Sequence, residues 1–260
     1  MTGVQTCALP IYARDNIARY LGVGRTTIER AEAVVEAAEE EPEEYGYLVE
    51  QMDRSGKIAG AFRRLTVLKQ AKDLEAAPPT LPTGPFQVIV ADPPWEYATG
   101  NSLPYPTMSL DEIRALPVKD LSDQNAILWL WTTNTHLRSA FDVVEAWGFE
   151  YKTLLTWVKD RMGTGEWLRG QTEHCLLAAR GKPVFLHGDH RTVLSAPRRE
   201  HSRKPEDFYS LVEEMCPGAK LELFSRQERE GWRSFGDQAA CFPAKLQSQA
   251  PQLVELVAVI

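Results

Sequence analysis

Cysteine is scarce, with four in 260 residues: Cys7, Cys175, Cys216 and Cys241. None forms a CxxC pair and none has a histidine at zinc-ligand spacing, so a disulfide framework and a structural metal site are excluded. Free thiols in a reducing cytoplasm are the expectation. Long apolar runs are missing too. No stretch approaches the roughly 18 consecutive apolar residues of a membrane span, so no membrane partner is expected. Positive charge is not in excess, because the formal net charge is −7. A protein that coats nucleic acid without selectivity would be basic, so any polynucleotide contact must come from a local patch. Glycine-rich phosphate loops are absent: neither G-x-G-x-x-G nor F-x-G-x-G occurs, which weakens a dinucleotide-binding reading.

What remains is an ordinary globular composition, 43% hydrophobic, with length for one catalytic domain and a small accessory module. Residues 1–11 are set aside, because Gly3–Ile11 (GVQTCALPI) resembles the translation of a common sequencing adapter. Residues 12–75 read as a helical module. Two helices are expected over 14–39, with Gly22 as a helix stop and Thr26 or Thr27 capping the second. Two more are expected near 43–54 and 57–72. The string IARYLGVGRTTIERA is similar to a bacterial helix-turn-helix, and the whole stretch to the helical module of ParB-type partitioning proteins. On that resemblance Arg25, Thr26, Thr27 and Arg30 would face a groove or its phosphates; a plain helical hairpin is the alternative. Residues 76–85 carry Pro78, Pro79, Pro82 and Pro85 and read as a linker.

After the linker, strands alternate with helices. Strands are expected at 86–91, 126–132, 151–158, 174–179 and 220–224, and helices at 109–116, 135–147 and 205–215. Such alternation predicts an α/β fold with a mostly parallel, Rossmann-like sheet over 86–240, whose ligands bind at the carboxyl ends of the strands. Residues 241–260 lose this pattern and fit a strand, a packed tail or an artefact.

Asp92-Pro93-Pro94-Trp95 follows directly on the first buried strand. The exocyclic amine of adenine is a poor nucleophile, because its lone pair is delocalised into the ring. An enzyme that methylates it must accept hydrogen bonds from both N–H groups and hold the nitrogen in line with the donor. Asp92 offers a carboxylate acceptor. Pro93 has no N–H and leaves its carbonyl free as a second acceptor. Pro94 stiffens the turn, and Trp95 offers a face on which a base could stack.

Six blocks in order, ADPPWEY, PYPTMSLDEI, LWLWTTNTHL, LTWVKDRMGTGEWLRGQTEHCLLAARGKP, HSRKPEDFY and LELFSRQEREGWRSFGDQ, resemble the adenine-N6 methyltransferase family that includes the catalytic subunit of the eukaryotic mRNA adenosine methyltransferase. The resemblance implies S-adenosylmethionine as cofactor and a catalytic motif that precedes the cofactor-binding part. It implies that Lys204, Glu222, Arg226, Asp237 and Gln238 line the cofactor pocket, with Glu222 accepting from ribose hydroxyls. Asp92 would border the same pocket. Tyr105, Lys159 and Glu173 would flank the base. Asp237 stands where the eukaryotic member has Asn, and the acidic residue that the family places upstream of DPPW has no counterpart here.

The nucleic acid is expected to be DNA rather than RNA, because a helix-turn-helix would accompany the catalytic domain. A basic segment from Arg180 to Lys204, with Lys159, Arg161 and Arg169 flanking the Gly163–Gly170 loop, is the candidate phosphate track, a solvated basic loop being the alternative. Cytosine N4 and RNA adenosine remain alternative targets. A non-catalytic DNA-binding regulator is the alternative of another class, and the oligomeric state stays open.

Overall fold

The structure is a computed structural model that describes residues 11–76, 80–97, 105–163, 165, 167–186, 189–199 and 203–236. The expectations for residues 1–10 and 241–260, Cys7, Cys241, Asp237 and Gln238 lie outside them. The chain divides into two compact units. One comprises the helices together with Pro94–Ser109, and the other holds the sheet.

The helical unit contains α1 (Ile11–Leu21), α2 (Arg25–Glu40), α3 (Pro42–Ser55) and α4 (Ile58–Ala76). Gly22 ends α1 in the left-handed region, φ +67°, and Val23 N–H donates back to Ala18 at 3.0 Å. The expected threonine cap does not form. Gly24 occupies the cap position, and Thr26 and Thr27 fall in the first turn of a helix that starts earlier than expected. Pro42 sits in the first turn of α3, where its missing N–H costs nothing, and Glu43 and Glu44 favour the helix dipole. Val34, Ala37, Tyr45, Leu48, Met52, Ala61 and Leu65 form this unit's core.

The sheet unit contains β1 (Phe86–Ala91), α5 (Leu110–Ala115), α6 (Val118–Leu121), β2 (Ser122–Thr132), α7 (Leu137–Ala146), β3 (Glu150–Val158), β4 (Thr172–Arg180), β5 (Val193–Ser195), α8 (Glu206–Met215), β6 (Lys220–Leu223) and β7 (Trp232–Phe235). Sequence periodicity misses α6, β5 and β7, which are three or four residues long and too short to show a period. The seven strands run in the order β5-β3-β4-β2-β1-β6-β7. Every pairing is parallel except those of β4, which runs against β2 and β3.

This one reversal positions the site. It pairs Thr132 with His174 and Val158 with Thr172, so the start of β4 lies beside the carboxyl ends of β2 and β3. β1 and β2 are apolar on both faces because both are covered. Val88, Val90, Ile127, Trp129 and Trp131 pack on Phe208, Val212 and Met215 of α8. The intervening Ile89, Leu128 and Leu130 are equally buried, and α7 packs against β2, β3 and β4.

Candidate active site

Four charged side chains meet at the carboxyl edge of the sheet. Asp92 follows β1, Lys159 follows β3, Glu173 lies at the start of β4, and Lys204 comes from the segment ahead of α8. Lys204 Nζ lies 2.7 Å from Asp92 Oδ2 and 3.0 Å from Glu173 Oε2. Lys159 donates to the other oxygen of Glu173. The result is an alternating line, Lys159–Glu173–Lys204–Asp92, in which each charge faces its opposite. Aromatic rings back both cations, with Trp131 centred 5.1 Å from Lys204 Nζ and Trp157 4.8 Å from Lys159 Nζ.

Lys204 is only 7% exposed. Burial works against its charge, but Asp92 and Glu173 outweigh that and raise its pKa above the usual lysine value. Burial likewise pushes Glu173 up, yet Lys204 and Lys159 hold its carboxyl below the usual carboxylate range.

Beside this line lies a small pocket, partly open to solvent. Asp92, Lys204, Tyr209, Glu222, Phe224 and Arg226 are among the residues lining it. Glu222 sits on β6, directly opposite Val90 of β1, and its side chain is held from two sides. The Tyr209 hydroxyl donates to Oε1, and Ser225 Oγ donates to Oε2 at 3.2 Å. Burial lifts the Glu222 carboxyl above its ordinary value, partly offset by these hydroxyls, and burial also pushes the Tyr209 phenol well up. Phe224 has a left-handed backbone, φ +62°, which for a bulky residue costs roughly 1–3 kcal/mol. The bend is pinned by Ser225 N–H, which donates to Phe235 of β7 at 3.0 Å.

Asp92, Lys159, Glu173 and Lys204 are therefore brought together, and Asp92, Lys204, Glu222 and Arg226 share one pocket. Asp92 faces open space rather than the apolar interior, with a quarter of its side chain exposed. Pro93 is buried, and among the described residues no donor reaches its carbonyl. Pro94, Trp95 and Tyr105 lie in the Pro94–Ser109 segment of the other unit. There Trp95 is buried and bridges to Met108, so its ring is not freely open to solvent. Arg25 pairs with Glu29 at 2.8 Å, and Arg30 lies over the Phe62 ring.

The basic segment is partly consumed within the sheet unit. Arg180 donates to the Lys119 carbonyl, Arg199 pairs with Glu206, Arg203 with Gln227, and Lys204 belongs to the buried line. Of the expected track, Lys182, Arg191 and Arg198 stay exposed, while His187 and His201 lie outside the described residues. Sequence reasoning passed over Tyr209, which reads as one more core ring of an amphipathic helix, and Arg229, which stacks on it at 3.8 Å and donates to Glu206. Only the periodicity of α8 hinted that Tyr209 faces inward.

Residues 86–238 match the MT-A70 family. The chain belongs to this family. It is 38% identical over 166 residues to the N(6)-adenosine-methyltransferase MT-A70-like of Arabidopsis thaliana, covering 60% of this chain and 24% of that one. It is 36% identical over 167 residues to the N(6)-adenosine-methyltransferase catalytic subunit METTL3 of Homo sapiens, covering 60% and 28%. To the type II methyltransferase M.MunI of a Mycoplasma species it is 32% identical over 185 residues, covering 61% of this chain and 79% of that protein. The chain thus spans about a quarter of the plant and human relatives. The MT-A70 match begins at β1 and takes in the whole charged line and the pocket.

Proposed function

We propose that this MT-A70 chain methylates N6 of adenine in DNA, using S-adenosylmethionine. The observation that carries the reading is Asp92: its carboxylate borders an open pocket at the carboxyl edge of the sheet, held by the buried Lys204. The names of the relatives, N(6)-adenosine-methyltransferases and a type II methyltransferase, support the same chemistry.

The residues present suit the cofactor. Glu222 is a buried acceptor whose two oxygens are each engaged once, and a carboxylate can accept about four hydrogen bonds. It retains capacity for a ribose diol. Arg226 lines the same pocket, and Asp237 and Gln238 complete the set by resemblance. When bound, S-adenosylmethionine supplies a methyl group on a positively charged sulfur. Asp92 accepts from one N–H of the target amine, and the Pro93 carbonyl accepts from the other. Both acceptors are fixed before the base arrives, so little reorganisation is needed during reaction. Lys204 keeps the Asp92 carboxylate aimed at the pocket, while Glu173 and Lys159 fix Lys204 from behind.

DNA is preferred to RNA because the sequence of α1 and α2 resembles a helix-turn-helix. Arg25, Thr26 and Arg30 would meet the duplex. The exposed Arg25–Glu29 pair contributes at most about 1 kcal/mol, so Arg25 can exchange it for a phosphate.

The test uses labelled S-adenosylmethionine with unmethylated DNA or RNA, followed by nucleoside digestion. Label is expected in DNA as N6-methyladenine. Asp92→Ala is expected to lower turnover by about a hundred- to a thousandfold, while calorimetric cofactor binding largely survives. Label only in RNA, or as N4-methylcytosine, would overturn the substrate. Equal rates in the two proteins would remove Asp92 from the mechanism.

A further inference from the structure

We infer that Trp167, with Leu168 beside it, is a stacking wedge that holds the DNA base next to the extruded adenine. The inference rests on the methyltransferase reading above and adds a contact to it. The chain has seven tryptophans, all described. Trp95, Trp129, Trp131, Trp147 and Trp157 are buried and Trp232 is half-buried, whereas Trp167 is 96% exposed. Leu168 and Met162 share its exposure. Large apolar side chains grouped in water mark an interaction surface rather than a core.

The loop that carries them is framed. Lys159 N–H donates to the Gln171 carbonyl at 2.9 Å, and the Gln171 side chain returns a bond to the Lys159 carbonyl at 2.8 Å. Further out, Gly163 N–H donates to Gly170 at 2.7 Å, and Arg169 Nε donates to the Gly163 carbonyl at 2.7 Å. Asp160 accepts from Arg198 N–H at 2.8 Å. The base of the loop is thus held, while the Trp167 and Leu168 side chains stand in solvent.

Position and charge select the occupant. The loop leaves the sheet at Lys159 and returns just before Glu173, so its base is closed by two members of the buried charged line. It therefore springs from the rim of the candidate active site. Along the chain the apolar pair lies between Arg161, its side chain 80% exposed and 3.4 Å from the Asp160 carboxylate, and the exposed Arg169. An exposed aromatic between guanidinium groups is the footprint of a polynucleotide, whose bases offer flat faces and whose backbone offers phosphates. Turning one adenine out of a duplex costs a few kcal/mol of lost stacking, and a ring placed against the neighbouring base restores part of it.

The test compares wild type, Trp167→Ala and Trp167→Phe on a labelled, unmethylated, adenine-containing duplex. Affinity is read by anisotropy and base extrusion by 2-aminopurine fluorescence at the target position. Trp167→Ala is expected to weaken duplex binding about tenfold and to reduce the extrusion signal, with cofactor affinity unchanged and Phe restoring most of both. Unchanged duplex affinity and extrusion in Trp167→Ala would overturn the inference. So would loss of self-association in sedimentation with DNA binding intact, which would make the loop a protein-docking surface. A parallel arm with single-stranded RNA, weakened where the duplex is not, would overturn the choice of DNA. If the wild type binds the duplex but transfers no methyl group, the catalytic reading fails by itself, and the anisotropy arm still decides Trp167.

Discussion

Lys204 shows how one residue can organise a site. Moving an ammonium out of water costs several kcal/mol, and only close opposite charges compensate it. Here Asp92 and Glu173 supply them, with the Trp131 face alongside. Lys204→Met would leave two carboxylates near one another with Lys159 as the remaining cation of the line. The expected cost is about 3–5 kcal/mol in denaturant unfolding, the usual result of stranding a buried charge. A loss under about 1 kcal/mol would show that water already solvates the cluster. The tryptophans make the opposite point. Sequence reasoning chose Trp95 as the open stacking face because it adjoins the motif. The structure buries Trp95 and leaves Trp167 in solvent.

Among the elements, β4 matters most. Its reversed direction lets a loop, rather than a crossover helix, join β3 to it, and that loop returns Glu173 to the edge where Lys159 left. The far end of β4 is equally constrained. Gly181 follows it with φ +63°, and a Cβ there would stand 2.3 Å from the Gln124 carbonyl oxygen and 2.5 Å from Asn125 Oδ1. Gly231 also has a positive φ, +76°, but nothing lies within 4 Å of a Cβ placed on it. Gly231→Ala should therefore cost only the left-handed penalty, about 1–2 kcal/mol. Gly181→Ala should cost at least about 2 kcal/mol more, because backbone must move. Chemical denaturation of both variants checks the difference, and equal losses would show that the backbone after β4 relaxes freely.

At the scale of the molecule, the charged line makes the stability of the sheet unit depend on pH at both extremes. Glu173 has a depressed pKa, so its contribution is present above the usual carboxylate range and is lost as pH falls through its folded value. Lys204 has a raised pKa, so its contribution is complete below the usual lysine value and is lost as pH rises through the folded one. Glu222 acts in the other sense from Glu173. Its raised pKa makes the protonated form the better-tolerated one, and that contribution fades as pH rises from the usual carboxylate range. Unfolding free energy is therefore expected to be broad and flat near neutrality and to fall in strong acid and strong base. Glu173→Gln should flatten the acid limb, and an unchanged acid limb would exclude Glu173 as its source.

Local pattern alone determined a good part of this protein. The alternating strands and helices and the placement of Asp92 at the end of β1 follow from short-range periodicity and turn chemistry, which neighbouring residues encode. The family blocks likewise named Lys204, Glu222 and Arg226 for one pocket. Only the tertiary structure decided that Lys159, Glu173, Lys204 and Asp92 form one continuous line, because that depends on the strand order and on the reversal of β4. Only it aimed the Tyr209 hydroxyl at Glu222, since an amphipathic helix states which face is inward but not what the face meets. The exchange of Trp95 for Trp167 as the open ring has the same cause: burial is set by residues far apart in the chain.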